Sequence, residues 1–290
     1  MLCFAGAEEP IFAFFNEAVG PGDHVIAHWP AYQSLYSVAE AAGAALTKWE
    51  ARERNRWQLD PDELPKMLRP QTKVLVINSP HNPTGALLER DRLEAIITFA
   101  RKHGLWLFSD EVYRGLEHDP ALRNPAVADL YERGISLGAL AKSYGLAGLR
   151  IGWVACQDRA LLARLSAFKD FLTICNAGPS ELLGAIALRH GEALIARCRQ
   201  LVLKNLAHAS ALLARHAGRL GWVAPTAGTT GFVAVAGASA FANRLLEQTG
   251  VLVLAGPQLD CADTHFRLGL GRRNFPEAAD AIDRWLSAAP

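Results

Sequence analysis

Up to about Ala155 the chain alternates short apolar runs with amphipathic stretches: HVIAHW then SVAEAAGA, KVLVINS then RLEAIITFARKHG, and after these LWLFSDEVY, GISLGALAK and IGWVAC. Buried runs separated by helix-length patterns predict an α/β domain with a mostly parallel sheet. In such sheets ligand-binding groups gather at the carboxyl ends of the strands. Three of the runs end there in polar, chemically useful residues: VLVINSPHNPTG, LWLFSDEVY and ISLGALAKSYG.

From about Cys198 the pattern changes. RCRQLVLKNLAHASALLARHAG carries apolar residues at helical spacing, and two strand-like segments follow, GFVAVAG and VLVLAG, then HFRLGLG and an amphipathic PEAADAIDRWLSA. The expected division is a large domain over residues 1–197 and, over 198–290, a long connecting helix with a small α+β domain. A chain of 290 residues is long enough for both.

Half the residues are hydrophobic (50%) and 20% are charged, the balance of a soluble globular protein. Thirty basic against 29 acidic residues leave a net charge of +1, which gives no broad electrostatic reason for nucleic acid or a membrane as partner. A small-molecule ligand is the default. The five cysteines, Cys3, Cys156, Cys175, Cys198 and Cys261, are scattered without a C-x-x-C, against a disulfide framework or a zinc site, and no metal is expected. No run approaches 18 apolar residues and the apolar start lacks a basic leader, so a cytoplasmic protein is expected.

Lys142 stands among small apolar residues in ALAKSYGLAGLRIGW, eight positions before Arg150. Lysine is rare in such surroundings unless it snorkels to solvent, pairs or reacts. In SPHNPTG two prolines and a glycine force a rigid turn that projects Asn82, although N-P-T-G alone is a common turn. Asp110 closes a strongly apolar strand, where a carboxylate needs a strong partner, or serves as a helix N-cap.

Taken in order and context, Asn82, Asp110, Tyr113, Lys142 and Arg150 resemble the fold-type I pyridoxal-phosphate enzymes, specifically the class I/II aminotransferases. NPTG, SDEVY, AKSYGLAGLRIGW and FRLGLG follow the family's order over essentially the whole chain. The resemblance implies a mostly parallel, seven-stranded type of sheet flanked by helices, with a smaller C-terminal α+β domain. It also implies pyridoxal 5′-phosphate as cofactor, amino acid and 2-keto acid as substrates, and a homodimer. Lys142 would form the internal aldimine and act as the base that moves the α-proton. Asp110 would pair with the pyridine nitrogen so that the ring accepts charge, with Asn82 and Tyr113 hydrogen-bonding the ring's 3′-oxygen. Arg150 would grip the phosphate together with the loop amides of Gly6, Ala7 and Glu8. Tyr32 would stack on the cofactor, and Arg267 in HFRLGLG would take the substrate α-carboxylate.

Two departures from the family stand out. Ala139 and Ala141 occupy positions where many relatives carry hydroxyl residues, and the chain begins almost at the phosphate loop, ahead of which relatives carry several dozen residues. Alternatives to transamination are a lyase or cyclase of an amino acid, since PAYQSLYSVAEAAG and KDFLTICNAGPSELL are faintly similar to a capreomycidine-synthase-like branch, and a catalytically impaired cofactor-binding protein, because the leading segment is missing. No G-x-G-x-x-G or Walker loop follows a strand, which argues against a nucleotide site.

Overall fold

The computed structural model describes residues 1–288. In the large domain the elements run β1 (Leu2–Phe4), α1 (Glu8–Ala18), β2 (His24–Trp29), α2 (Ser34–Ala41), β3 (Ala45–Glu50), α3 (Leu64–Met67), β4 (Thr72–Asn78), α4 (Arg90–Lys102), β5 (Trp106–Asp110), α5 (Val127–Leu130), β6 (Gly134–Ala139), β7 (Gly152–Cys156), α6 (Arg159–Lys169) and α7 (Gly178–Arg189). They build a seven-stranded sheet in the order β1-β7-β6-β5-β4-β2-β3. The five strands from β6 to β3 are parallel, and β7 and β1 close the other edge by antiparallel pairing.

Alternation of side chains along the central strands sends successive apolar residues to opposite faces, and both faces are covered. Val25, Ala27, Val74, Val76 and Phe108 pack with Ile11, Phe14 and Phe15 of α1 and Leu161 and Leu165 of α6. On the other face Ile26, Leu75, Ile77 and Leu107 pack with Leu93, Ile96 and Ile97 of α4. Two strands carry no apolar run of the expected kind. In β3, ALTKWE buries only Trp49 fully, because an edge strand needs one core contact rather than two covered faces. β1 is three residues long and takes its register wholly from β7.

The small domain contains α8 (Gly191–Arg215), β8 (Gly221–Trp222), β9 (Thr230–Ala234), α9 (Ala238–Thr249), β10 (Leu254–Ala255), β11 (His265–Gly269) and α10 (Phe275–Ala288). Its sheet is antiparallel, in the order β10-β11-β9-β8. Of VLVLAG only Leu254 and Ala255 pair as strand. The expected boundary at residue 198 lies inside α8, which begins at Gly191 and joins the small-domain core from Val202 onward. Its first turns stay against the large domain, where a Cβ on Gly145 would lie 3.0 Å from Cys198 Sγ and one on Gly191 would lie 3.1 Å from the Tyr144 ring.

Where the domains meet, the amides of Thr226 and Ala227 both donate to the Gly85 carbonyl at 2.9 Å. Gly85 has φ +72°, and a Cβ there would lie 2.3 Å from the Thr230 carbonyl and 2.4 Å from Pro225 Cβ. Both the backbone conformation and the seam therefore demand glycine. Gly85→Ala should cost about 2–3 kcal/mol and lower the melting temperature by more than about 4 °C, as read by calorimetry.

Candidate active site

Parallel pairing sets Asn78, the last residue of β4, level with Asp110, the last of β5. The Asn78 side chain then does two things: Nδ2 donates to the Asp110 carbonyl (3.0 Å) and Oδ1 accepts the Asn82 amide (2.7 Å). One buried amide thus fixes both the strand end that carries Asp110 and the turn that carries Asn82. Two stacked imidazoles support the same turn, with the His28 and His81 centroids 3.8 Å apart. His81 Nε2 lies 2.7 Å from the Pro30 carbonyl and its Nδ1 2.7 Å from Thr84 Oγ1, so the ring joins this turn to the loop leading to Tyr32. Burial holds both histidines neutral, lowering His81 to about 4 and His28 well below its usual range.

Asp110 is buried, and its carboxylate accepts the Val112 amide at 3.1 Å. No helix follows Asp110 directly, so this bond closes a turn and the helix-cap alternative is not realised; it also leaves the charge unpaired, because among the described residues Asp110 makes no salt bridge. Burial pushes the carboxyl up to about 7, with the charges of Glu111 and Glu8 adding to the rise and the Val112 amide and Lys142 opposing it. A buried carboxylate of this kind fits a cationic hydrogen-bond donor.

Lys142 lies three residues beyond β6, and Ser143 Oγ donates to the Val112 carbonyl (3.1 Å), tying the lysine turn to the Asp110 turn. Lys142 is exposed as a residue, yet its ammonium is partly desolvated. That desolvation, with repulsion from Arg267 and Arg150 against the attraction of Asp110, lowers its pKa. Its Nζ is 6.0 Å from the centre of the buried Tyr113 ring. Burial raises the Tyr113 pKa, which keeps the phenol protonated and able to donate. Arg267, on β11 of the small domain, donates from Nη1 to Asn82 Oδ1 at 3.0 Å, so the Asn82 Nδ2 donor stays available.

The remaining expected residues gather at the start of α1. Gly6 has φ +86°, and a Cβ there would fall 2.3 Å from Arg150 Nη2: the arginine fork occupies the space that glycine leaves. A Cβ on Gly152 would lie 2.4 Å from the Gly6 carbonyl, so two glycines let strand, loop and guanidinium converge. The Gly6 amide, read from sequence as a phosphate donor, already donates to the Phe4 carbonyl (2.9 Å). The open donors begin one residue later, at Ala7 and Glu8, because no side chain caps this eleven-residue helix. Arg150 beside an uncapped helix N-terminus fits a phosphate. Tyr32, 39% exposed, donates its hydroxyl to Glu8 Oε1. At the two positions where many relatives carry hydroxyl residues, Ala139 is buried in the core and Ala141 packs against it.

With a buried carboxylate lacking a cation at one end and a phosphate seat at the other, the arrangement fits the cofactor expected from sequence. Asn78, Glu9 and the His28–His81 pair escaped sequence reading. Asn78 alone carried a signal, as a polar residue at the carboxyl end of a strand neighbouring that of Asp110.

Comparison with known proteins points the same way. Residues 1–282 match the family described as aminotransferase class I and II. The chain is 36% identical over 270 residues to capreomycidine synthase of Streptomyces vinaceus, covering 91% of this chain and 68% of that protein. It is 33% identical over 281 residues to an arginine–pyruvate transaminase of Pseudomonas aeruginosa, covering 93% of this chain and 70% of the other. The crystal structure of a PLP-dependent aminotransferase from Streptococcus suis superposes with a TM-score of 0.92 at 30% identity, covering 99% of this chain and 76% of that one.

The Asp110 carboxyl generates a sign that can be checked. Its pKa is about 7 in the fold against 3.8 ordinarily, so the native state holds a proton that the unfolded chain has lost. Stability of the cofactor-free protein should therefore fall as pH rises through that window. Asp110→Asn should remove this slope, becoming progressively more stable relative to the parent from pH 4 to pH 8 by an amount on the order of a few kcal/mol. Parallel melting curves across that range would contradict it.

Proposed function

Since the chain belongs to the class I and II aminotransferase family, whose members depend on pyridoxal phosphate, we propose that it moves an amino group between an amino acid and a 2-keto acid with Lys142 as the catalytic residue. The observation that carries this is that Asp110, Asn82, Tyr113, Lys142 and Arg267, from four separate segments and two domains, lie within interaction distance of one another. When bound, the cofactor supplies an electron sink for the carbanion left by loss of the α-proton.

The chain's own residues do the rest. Asp110 accepts a hydrogen bond from the protonated ring nitrogen and gains the cation that its burial calls for. Asn82 Nδ2 and the Tyr113 hydroxyl donate to the ring oxygen. Arg150 and the α1 amides from Ala7 onward hold the phosphate. Arg267 offers its fork to the substrate carboxylate, exchanging the neutral Asn82 oxygen for an anion. Lys142 Nζ takes the α-proton, and its lowered pKa brings the neutral amine, the form a base requires, into reach at lower pH than an ordinary lysine.

A second reading is favoured by the 36% identity to capreomycidine synthase, namely a lyase or cyclase built on the same residues. Product analysis separates them, because transamination consumes a 2-keto acid and cyclisation does not. Cofactor uptake without turnover of any amino acid would instead support the catalytically impaired reading.

A homodimer is part of the proposal. Phe171 (88% exposed), Ile174 (68%), Leu182 (65%) and Leu183 (50%) put large apolar side chains in solvent along α7 and the loop before it, more than a monomer usually leaves uncovered. Leu183→Glu should halve the sedimenting mass to that of the 31.4 kDa chain; a parent that sediments as a monomer refutes the dimer.

Lys142→Ala should lower kcat by at least about 10³-fold and abolish borohydride fixation of the cofactor on the protein. Arg267→Gln should raise KM about 10–100-fold, the loss of a charge-assisted pair, while cofactor binding persists. Full activity of Lys142→Ala would overturn the assignment.

A further inference from the structure

Two acidic side chains open α1, Glu8 and Glu9, where the helix dipole favours both. Left free, either would compete with a phosphate for the helix amides, and neither is free. Glu9 accepts the Ala5 amide through Oε2 (2.5 Å) and the Thr173 hydroxyl through Oε1 (2.7 Å). Glu8 accepts the Tyr32 hydroxyl through Oε1, a bond that joins the first turn of α1 to the loop after β2.

The other end of this bond is equally particular. Tyr32 is not packed into the core, and its backbone loop is held by the Pro30 carbonyl's contact with His81. Its ring orientation depends on what holds the hydroxyl: Glu8, with Ser34 as the other hydrogen-bonding neighbour. Both Tyr32 and Glu8 lie within electrostatic reach of Asp110, so the pair stands at the cofactor-binding floor.

We propose that Glu8 is a positioning residue for the cofactor: its carboxylate holds the Tyr32 hydroxyl and sets the phenol ring against the cofactor plane, and the same bond keeps the carboxylate off the phosphate seat. This rests on the cofactor reading given under Proposed function. Glu8 thus has two separate functions, its backbone amide facing the phosphate and its side chain facing away to orient an aromatic ring.

A double-mutant cycle read by titration with pyridoxal 5′-phosphate, following both intrinsic fluorescence and the visible circular dichroism of the bound cofactor, tests this. Tyr32→Phe should weaken cofactor binding about tenfold and diminish the dichroic band, the expected loss for a hydrogen bond to a charged group. In a Glu8→Ala background the same change should have an effect below about twofold, because the hydroxyl has already lost its partner. Glu8→Gln, which keeps an acceptor without the charge, should retain the parent's dichroic band and bind at least as tightly. A Tyr32→Phe effect that is equal in both backgrounds overturns the proposal, as does a Glu8→Gln variant indistinguishable from Glu8→Ala in both readouts. A parent chain that takes up no cofactor overturns the functional reading as well, an outcome distinct from either of these.

Discussion

The site depends on a carboxylate kept out of water without a cation of its own. Asp110 sits at the end of a fully buried strand, and its charged form is disfavoured by burial before any neighbour is considered. In the free protein that cost is met by a carboxyl pKa raised to about 7, and a cationic hydrogen-bond donor would relieve it further. Hydrogen bonds tie the neighbouring segments to it: Asn78 sets the level of Asn82 against Asp110, and Ser143 ties the Lys142 turn to the same segment. The sheet acts as a jig that brings the ends of β4 and β5 to one height and runs β6 two residues further toward Lys142.

The small domain is part of this jig. Gly85, three residues after Asn82, receives two amides from the small domain, and Arg267 reaches across to Asn82. The residue proposed to meet the substrate carboxylate is therefore bonded to one proposed to meet the cofactor. The proposed substrate and cofactor contacts therefore meet on a single asparagine side chain.

Much of the large domain was legible because its central strands are buried on both faces and read as continuous apolar runs, three of them leading into polar residues that stand out against them. β3 was not legible: it is an edge strand with one buried tryptophan among exposed residues. β1 was hidden in an apolar start whose pairing is decided by a partner 152 residues away in the chain, Leu2 facing Val154. Within the site the residues proposed to face the cofactor follow from motif order, whereas Glu9 and the histidine pair act through contacts that local sequence does not encode, and Asn78 carries only the signal of a polar residue ending a strand. Gly6 was singled out for its amide, but the structure uses its missing side chain, a role visible only once Arg150 is seen to lie against it.

The helix α8 has a mechanical consequence. Its first turns rest beside the turn that follows Lys142, at Tyr144 and Gly145, while its later turns are built into the small-domain core. An unbroken α-helix of 25 residues is a rod of about 37 Å. A tilt of only about 5° about one end of a rod that long sweeps the other end through roughly 3 Å, the length of a hydrogen bond. The chain thus carries a lever whose fulcrum lies beside the lysine and whose long arm carries the domain bearing Arg267.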